Sequence, residues 1–260
     1  MKRTTVGSVL IVVLLGLTSA GCQAPTAAGV PKDILFQYST LGSLMAGVYD
    51  GELTYAELKQ HGDFGLGTFN ALDGEMLQLD HQVYQIKSDG VAYPVDDTMK
   101  APFAVVTYFE PDQTVTIAEP MSCTQLREHL DSLLPTKNIP YAVKITGTFS
   151  SLQTRSVPRQ VKPYQPLAEV LKTQPVFAFE KIEGVMVGFR LPSYMQTANA
   201  PGYHFHFITA DRSKGGHVLE CQAQAVTVEL DYTSEWQTLL PGDAEFYNVD
   251  MPDQAGLSHS

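Results

Sequence analysis

Three histidines that one hairpin would bring together are the residues of this sequence best placed for chemistry. His204 and His206 flank Phe205. Residues two apart in a strand point to the same face, so both imidazoles project together. Tyr203, Phe205 and Phe207 then fall on the opposite, apolar face. Asp211-Arg212-Ser213-Lys214-Gly215-Gly216 reads as a turn, and a regular antiparallel hairpin centred between Asp211 and Arg212 sets His217 opposite His206. Directly opposed Cβ atoms lie about 4.5–5.5 Å apart. Three imidazoles converging this way form a facial site suited to zinc or a similar divalent ion, with positions left open for a substrate. A lone His-x-His is more often a pair of ordinary surface or core histidines; the third histidine at the paired position turns the balance toward a metal.

A carboxylate and a cluster of cations come next. In Asn70-Ala71-Leu72-Asp73-Gly74-Glu75-Met76-Leu77, Asp-Gly predicts a two-residue type I′ turn pairing Leu72 with Glu75. Glu75 then shares a strand face with Leu77, Leu79 and, across the ladder, Thr68. A carboxylate on an apolar face is unfavourable unless it meets a metal or a positive charge; the alternative is that Glu75 stays exposed at the turn. Lys and Arg together number 17 against 28 acidic residues, yet Arg155, Arg159 and Lys162 cluster after a strand predicted over 141–151. The planar guanidinium fork matches a carboxylate, so Arg155, nearest the strand, is the candidate for an anionic substrate. Arg159 and Lys162 read as a solvated loop.

The elements that must position these groups are mostly strands. Capping boxes at Thr54-Tyr55-Ala56-Glu57 and Ser122-Cys123-Thr124-Gln125 open two helices, the first running to about His61 and the second closed by Pro135. Shorter helical turns are expected over 39–48 and 167–172. Residues 103–108 and 114–118 form an expected hairpin around Glu110-Pro111-Asp112, and 176–181 and 185–190 another around Ile182-Glu183-Gly184. The hairpin of 203–209 and 217–230 carries the histidines. The expected fold is α+β: mostly antiparallel mixed sheets in two subdomains with few short helices, an N-terminal one over 33–138 and a C-terminal, metal-binding one over 139–260, divided near Pro135–Pro140.

Composition limits the partners. Lys2 and Arg3 precede an apolar run over 9–17 and then Thr18-Ser19-Ala20-Gly21-Cys22. Nine apolar residues are too few to span a bilayer, so 1–21 reads as a signal peptide and 22–32, rich in Ala and Pro, as a tether. Cleavage before Cys22 would make a lipoprotein, and cleavage after Ala20 a secreted protein. Loss of 1–21 removes two basic and no acidic residues, moving the formal charge from −11 to −13. Such a surface repels nucleic acid and anionic membranes, leaving lipid on Cys22 as the one expected route to a membrane. Cys123 and Cys221, nearly a hundred residues apart, lack zinc-ribbon spacing and read as two small buried residues, although an oxidising compartment would allow them to pair.

Gly67-Thr68-Phe69-Asn70-Ala71-Leu72-Asp73-Gly74-Glu75-Met76 resembles the N-terminal signature of the alpha-acetolactate decarboxylases. Tyr203-His204-Phe205-His206-Phe207-Ile208 with Gly215-Gly216-His217-Val218-Leu219 resembles their metal motif, and Gly147-Thr148-Phe149 through Arg155 the segment that supplies their arginine. The similarity spans about residues 33–250. It implies a two-part fold rich in sheet, often a homodimer, and zinc held by His204, His206 and His217. It places the family's glutamate on Glu75, its arginine on Arg155 and its threonine on Thr68. The family's second glutamate, from the C-terminal segment, falls on Glu245, with Asp243 as the alternative. An export signal departs from the cytoplasmic relatives of that family.

The implied reaction is that of a carbon–carbon lyase: 2-acetolactate loses carbon dioxide through a metal-stabilised enediolate and becomes acetoin. The enediolate charge develops in the transition state, where binding energy raises the rate. Two other readings start from the same motifs. A cupin-like metal oxygenase also begins with His-x-His, but its usual glutamate a few residues on is replaced here by Ala210 and Asp211. A non-catalytic metal- or ligand-binding lipoprotein would hold the ion without turnover. The export reading has a direct check: mass spectrometry of membrane-extracted protein should find a lipidated Cys22, whereas a soluble chain beginning at Gly21 means ordinary secretion and a cytoplasmic chain retaining Met1 overturns both.

Overall fold

Apolar runs and alternations outnumber helical stripes in this chain, and in the computed structural model they fold into two large β-sheets packed face to face and a small two-stranded sheet of Leu53–Thr54 and Lys100–Ala101. The structure describes Met1 and residues 32–251; the expected leader, Cys22 and the tether up to residue 31 lie outside the described residues. The first sheet has seven strands in the spatial order Glu235–Leu239, Ile34–Tyr38, Phe103–Thr107, Phe64–Thr68, Glu75–Leu79, Gln82–Ile86 and Ala92–Pro94. Its pairs are antiparallel except the first, where Glu235–Leu239 runs parallel to Ile34–Tyr38.

Long strands build the second sheet. Tyr141–Arg155 lies between Val176–Leu191 and Gly215–Tyr232. The other edge of Gly215–Tyr232 pairs in turn with Gly202–Thr209, Met121–Ser122 and Gln113–Ile117. Because Gly202–Thr209 also pairs with Val176–Leu191, four strands close into a ring. Mostly antiparallel sheets with few, short helices are the fold class the sequence predicts.

Three apolar layers hold this together. Between the sheets, Leu35, Phe64, Leu66, Leu77 and Val105 meet Val185, Val187, Phe189 and Ile208. Within the ring lie Phe149, Met186, Phe205, Phe207 and Val226, in one cluster with Leu126 and Leu130 of the helix Cys123–Leu133. The outer face of the first sheet packs Phe36, Met76 and Val106 with Tyr55 and Leu58 of the helix Tyr55–Leu58. Both helices begin in the expected capping boxes, at Thr54 with Glu57 and at Ser122 with Gln125.

The hairpins expected over 103–118 and 176–190 do not form. Phe103–Thr107 is buried along its whole length and needs a strand on each side, which Ile34–Tyr38 and Phe64–Thr68 supply. Gln113–Ile117, apolar at alternate positions, pairs instead at the edge of the second sheet. Residues 176–191 do not reverse at Ile182-Glu183-Gly184 but run on as one strand, with Gly184 opposite Gly147 across the ladder. The described residues from 32 onward belong to one compact unit. The sheets exchange strands across residue 138: Gln113–Ile117 and Met121–Ser122 join the second, and Glu235–Leu239 joins the first.

Cys123 and Cys221 form a disulfide, correcting the reading of two separate buried thiols. The helix Cys123–Leu133 packs on the strand Gly215–Tyr232 and brings together cysteines that spacing alone gives no reason to pair. The crosslink closes a chain separation of 98 residues. By loop-closure entropy, its removal should destabilise the fold by about 2–5 kcal/mol. A Cys123→Ser/Cys221→Ser double variant is therefore expected to melt roughly 5–15 °C lower in calorimetry; an unchanged midpoint would show that the bridge contributes nothing.

Candidate active site

The histidine hairpin forms in the predicted register. Gly202–Thr209 and Gly215–Tyr232 pair with His206 directly opposite His217. Phe205 and Phe207 point into the ring core, so His204 and His206 face the other sheet. One ring nitrogen from each of the three histidines lies within 4.8 Å of the others, a grouping that could hold a metal ion. His204 Nε2 and His217 Nδ1 approach to 3.0 Å. Two lone pairs at that distance repel, so one nitrogen carries a proton or both turn toward a shared cation. His206 makes the sharper case. Its Nδ1 lies 2.7 Å from the Met76 carbonyl oxygen, and since a carbonyl only accepts, Nδ1 must donate. That leaves a lone pair on Nε2, which is buried and has no hydrogen-bond partner. An orphaned imidazole lone pair beside two further imidazoles fits a divalent cation.

Glu75 arrives from the opposite sheet. It opens the strand Glu75–Leu79, pairs with Thr68 on one side and Ile86 on the other, and is buried. The tight two-residue turn that would have paired Leu72 with Glu75 is absent. Residues 69–74 form a wider loop in which Ala71 and Leu72 adopt left-handed backbone, with φ of 61° and 51°. Tertiary bonds fix it: Ala71 N donates to Tyr49 O at 2.8 Å, Gln160 N donates to Ala71 O at 2.7 Å, and the Asn70 side chain bonds both Gly51 N and Gly51 O. Thr68 donates its hydroxyl to Gly74 O at 2.7 Å, fastening the loop beside Glu75.

Arg155 ends the strand Tyr141–Arg155 directly opposite His217, so arginine and two of the histidines occupy facing positions on three neighbouring strands. A β-bulge makes this possible. Gln153 faces Glu220 but Thr154 faces Val218, leaving Leu219 as an extra residue on the histidine strand. Without it the register would set Val218 opposite Arg155, and a one-residue slip exchanges the faces. Gly216 allows the close approach: its φ is +143°, and a Cβ there would stand 2.5 Å from Arg155 O. The guanidinium Nη1 reaches to 3.6 Å from Glu75 Oε1, while Glu75 Oε2 is 3.4 Å from His206 Nε2.

Burial sets the charges. It pushes the Glu75 carboxyl up to about 7, against the pull of Arg155. It pushes His206 down to about 3, so the imidazole is neutral at ordinary pH, as a ligand must be. It also lowers Arg155, which Glu75 partly offsets.

The other cationic candidates lie outside this cluster. Arg155 is 15% exposed, whereas Arg159, near Asp73, is 66% exposed and Lys162 is 55% exposed. Lys162 bridges Asp50 and Glu245. Glu245 lies on the short helix Ala244–Asn248, with Lys162 2.5 Å away, and Asp243 caps that helix by accepting from Phe246 N. Among the described residues, the metal-binding group contains neither of the two. Sequence reasoning missed the Met76 carbonyl that orients His206. No side-chain pattern reports a backbone acceptor.

The sequence profile of the alpha-acetolactate decarboxylases matches residues 35–253. The alpha-acetolactate decarboxylase of Methanosarcina mazei is 49% identical over 87% of this chain and 79% of that protein. That of Methylococcus capsulatus is 48% identical over 84% of each. The crystal structure of the Bacillus subtilis strain 168 alpha-acetolactate decarboxylase superposes with a TM-score of 0.83 at 40% identity, covering 85% of this chain and 94% of that one.

His206→Ala should abolish binding of a divalent ion, since it removes the imidazole whose Nδ1 donates to the Met76 carbonyl and whose buried Nε2 lone pair is left for the ion. Elemental analysis of the folded variant checks this, and retention of a full equivalent of metal would remove His206 from the ligand set.

Proposed function

The chain belongs to the alpha-acetolactate decarboxylase family, and we propose that it is a zinc-dependent enzyme that converts 2-acetolactate to acetoin and carbon dioxide. The carrying observation is the convergence of three imidazoles, Glu75 and Arg155 between the sheets, in a chain whose relatives bear that name. The substrate is a tertiary 2-hydroxy-3-keto acid. When the bond to its carboxylate breaks, the electron pair passes to the neighbouring ketone and leaves an enediolate. One proton returned to carbon completes acetoin. A divalent ion on His204, His206 and His217 would act as a Lewis acid on the oxygens where that negative charge develops.

The protein's own groups account for the rest. Arg155 presents a guanidinium to hold the carboxylate in the position from which it leaves. Thr68 and the tied loop 69–74 hold Glu75 against the site. Glu75, buried against His206 and Arg155, would return the proton to carbon. Met76 O keeps the His206 ring turned with its lone pair inward. Apolar side chains on both sheets exclude water that could protonate the enediolate at random.

Glu245 as a second carboxylate near the metal, a homodimeric state, and export with lipid on Cys22 or as a secreted protein belong to the same reading. They rest on family resemblance and on the leader sequence.

A free enediolate is planar at the carbon to be protonated and gives a racemate. Held in one orientation beside Arg155 and Glu75, it should take its proton on one face and give acetoin of one predominant hand from racemic 2-acetolactate. Chiral chromatography of product from the purified mature chain is the measurement. No acetoin from a metal-replete protein would turn the reading to metal binding without catalysis, and racemic acetoin would sink the bound-enediolate mechanism. Glu245→Gln at full rate would exclude Glu245 and make Asp243 the next tail carboxylate to test.

A further inference from the structure

Arg155 is flanked by two hydroxyls, each fully buried and each bonded to the backbone of another part of the site. Thr154 Oγ1 donates to Gly215 O at 3.0 Å, two residues before His217. Ser156 Oγ donates to Ile86 O at 2.7 Å, and Ile86 is the cross-strand partner of Glu75. One hydroxyl thus ties the arginine backbone to the histidine hairpin, and the other ties it to the glutamate strand in the opposite sheet. The bonds span 61 and 70 residues of chain.

We infer that Thr154 and Ser156 are positioning residues for the decarboxylation, fixing the Arg155 guanidinium against Glu75 and the histidines. The inference rests on the proposed function for its activity readout, but on geometry for its substance. Arg155 is the last residue of its strand and has ladder partners for its backbone on both sides, yet its side chain must cross the gap between the sheets. Ladder bonds hold the arginine within its own sheet; the Ser156 contact fixes the chain next to it to the sheet that carries Glu75. The Thr154 contact guards the other coordinate. It sits at the bulge where Leu219 is extruded, the point at which the ladder is free to slip and where a slip would put Val218 in place of His217. An active-site group displaced by about 1 Å can lose roughly a hundredfold in rate.

The test is a double-mutant cycle on the metal-loaded full chain. Thr154→Val and Ser156→Ala remove one hydroxyl each with little change of volume, and Ser150→Ala is the control: Ser150, on the same strand as Thr154, bonds Gln222 O of the neighbouring strand but is exposed. With Arg155 present, each buried-hydroxyl variant should lower kcat/KM by about tenfold or more, and Ser150→Ala should leave it unchanged. In an Arg155→Lys background, itself at least tenfold impaired, the same two changes should lower it by less than about threefold, because the group they position is gone. Equal losses in both backgrounds would show a merely structural role and overturn the inference. Crystal structures of the variants give a readout that does not need turnover: the 3.6 Å approach of Arg155 to Glu75 should open. If it persists in both, the inference fails whatever the kinetics show. A wild type that releases no acetoin defeats the decarboxylase reading alone and leaves the positions of the guanidinium to decide this one. Should either variant fail to fold, the other carries the test.

Discussion

Buried charge between two sheets is the constraint on which this molecule turns. A carboxylate, a guanidinium and a histidine with an orphaned nitrogen lie in a layer otherwise filled by Leu, Val, Ile and Phe. Such groups are tolerated in a dry interior only if each meets a partner of matching charge or hydrogen-bonding sense. Here the partners come from both sheets: Arg155 and the histidines from one, Glu75 and the Met76 carbonyl from the other. A divalent cation on the three imidazoles would add the positive charge that a buried carboxylate calls for. Low dielectric then strengthens every interaction made with a charge developing on substrate.

Face-to-face packing makes that constraint costly to violate. The same layer that isolates the site contains the largest apolar contact between the sheets, so the site cannot loosen without exposing core. Around it the backbone departs repeatedly from ideal geometry. Ala71 and Leu72 are left-handed, Leu219 is extruded as a bulge, and Gly216 lets the arginine strand approach. The loop at Ala71 is held by bonds to distant chain, from Tyr49 and Gln160, and the bulge lies beside the Thr154 bond to Gly215. Strain of this kind persists where surrounding structure over-determines it.

Covalent and topological ties support the same layer from outside. The disulfide joins the helix Cys123–Leu133 to the strand that carries His217, and the ring closure of four strands leaves the histidine hairpin with partners on both sides. Strand exchange between the sheets means that neither can be displaced alone. The cluster of histidines, Glu75 and Arg155 is thus set on strands, elements that fix side-chain direction more closely than loops do.

Features that depend on alternation and near neighbours were legible in the residues alone. His204, His206 and the turn after them specify a shared face and the His206–His217 register, because period-two geometry and a central turn leave no other pairing. Both capping boxes and the predominance of strands are local facts of the same sort. Tertiary structure decided whatever rests on distant chain. The Asp73-Gly74 turn yielded to a wider loop because Tyr49, Gly51 and Gln160 hold it. Phe103–Thr107 took partners other than its neighbour in sequence because a strand buried on both faces cannot be satisfied by an amphipathic edge strand. Cys123 met Cys221 through the packing of a helix on a strand. Glu75 and Arg155 were legible as candidates, but whether they were solvated or buried against one another was a property of two sheets closing, and no spacing within either segment encodes that distance.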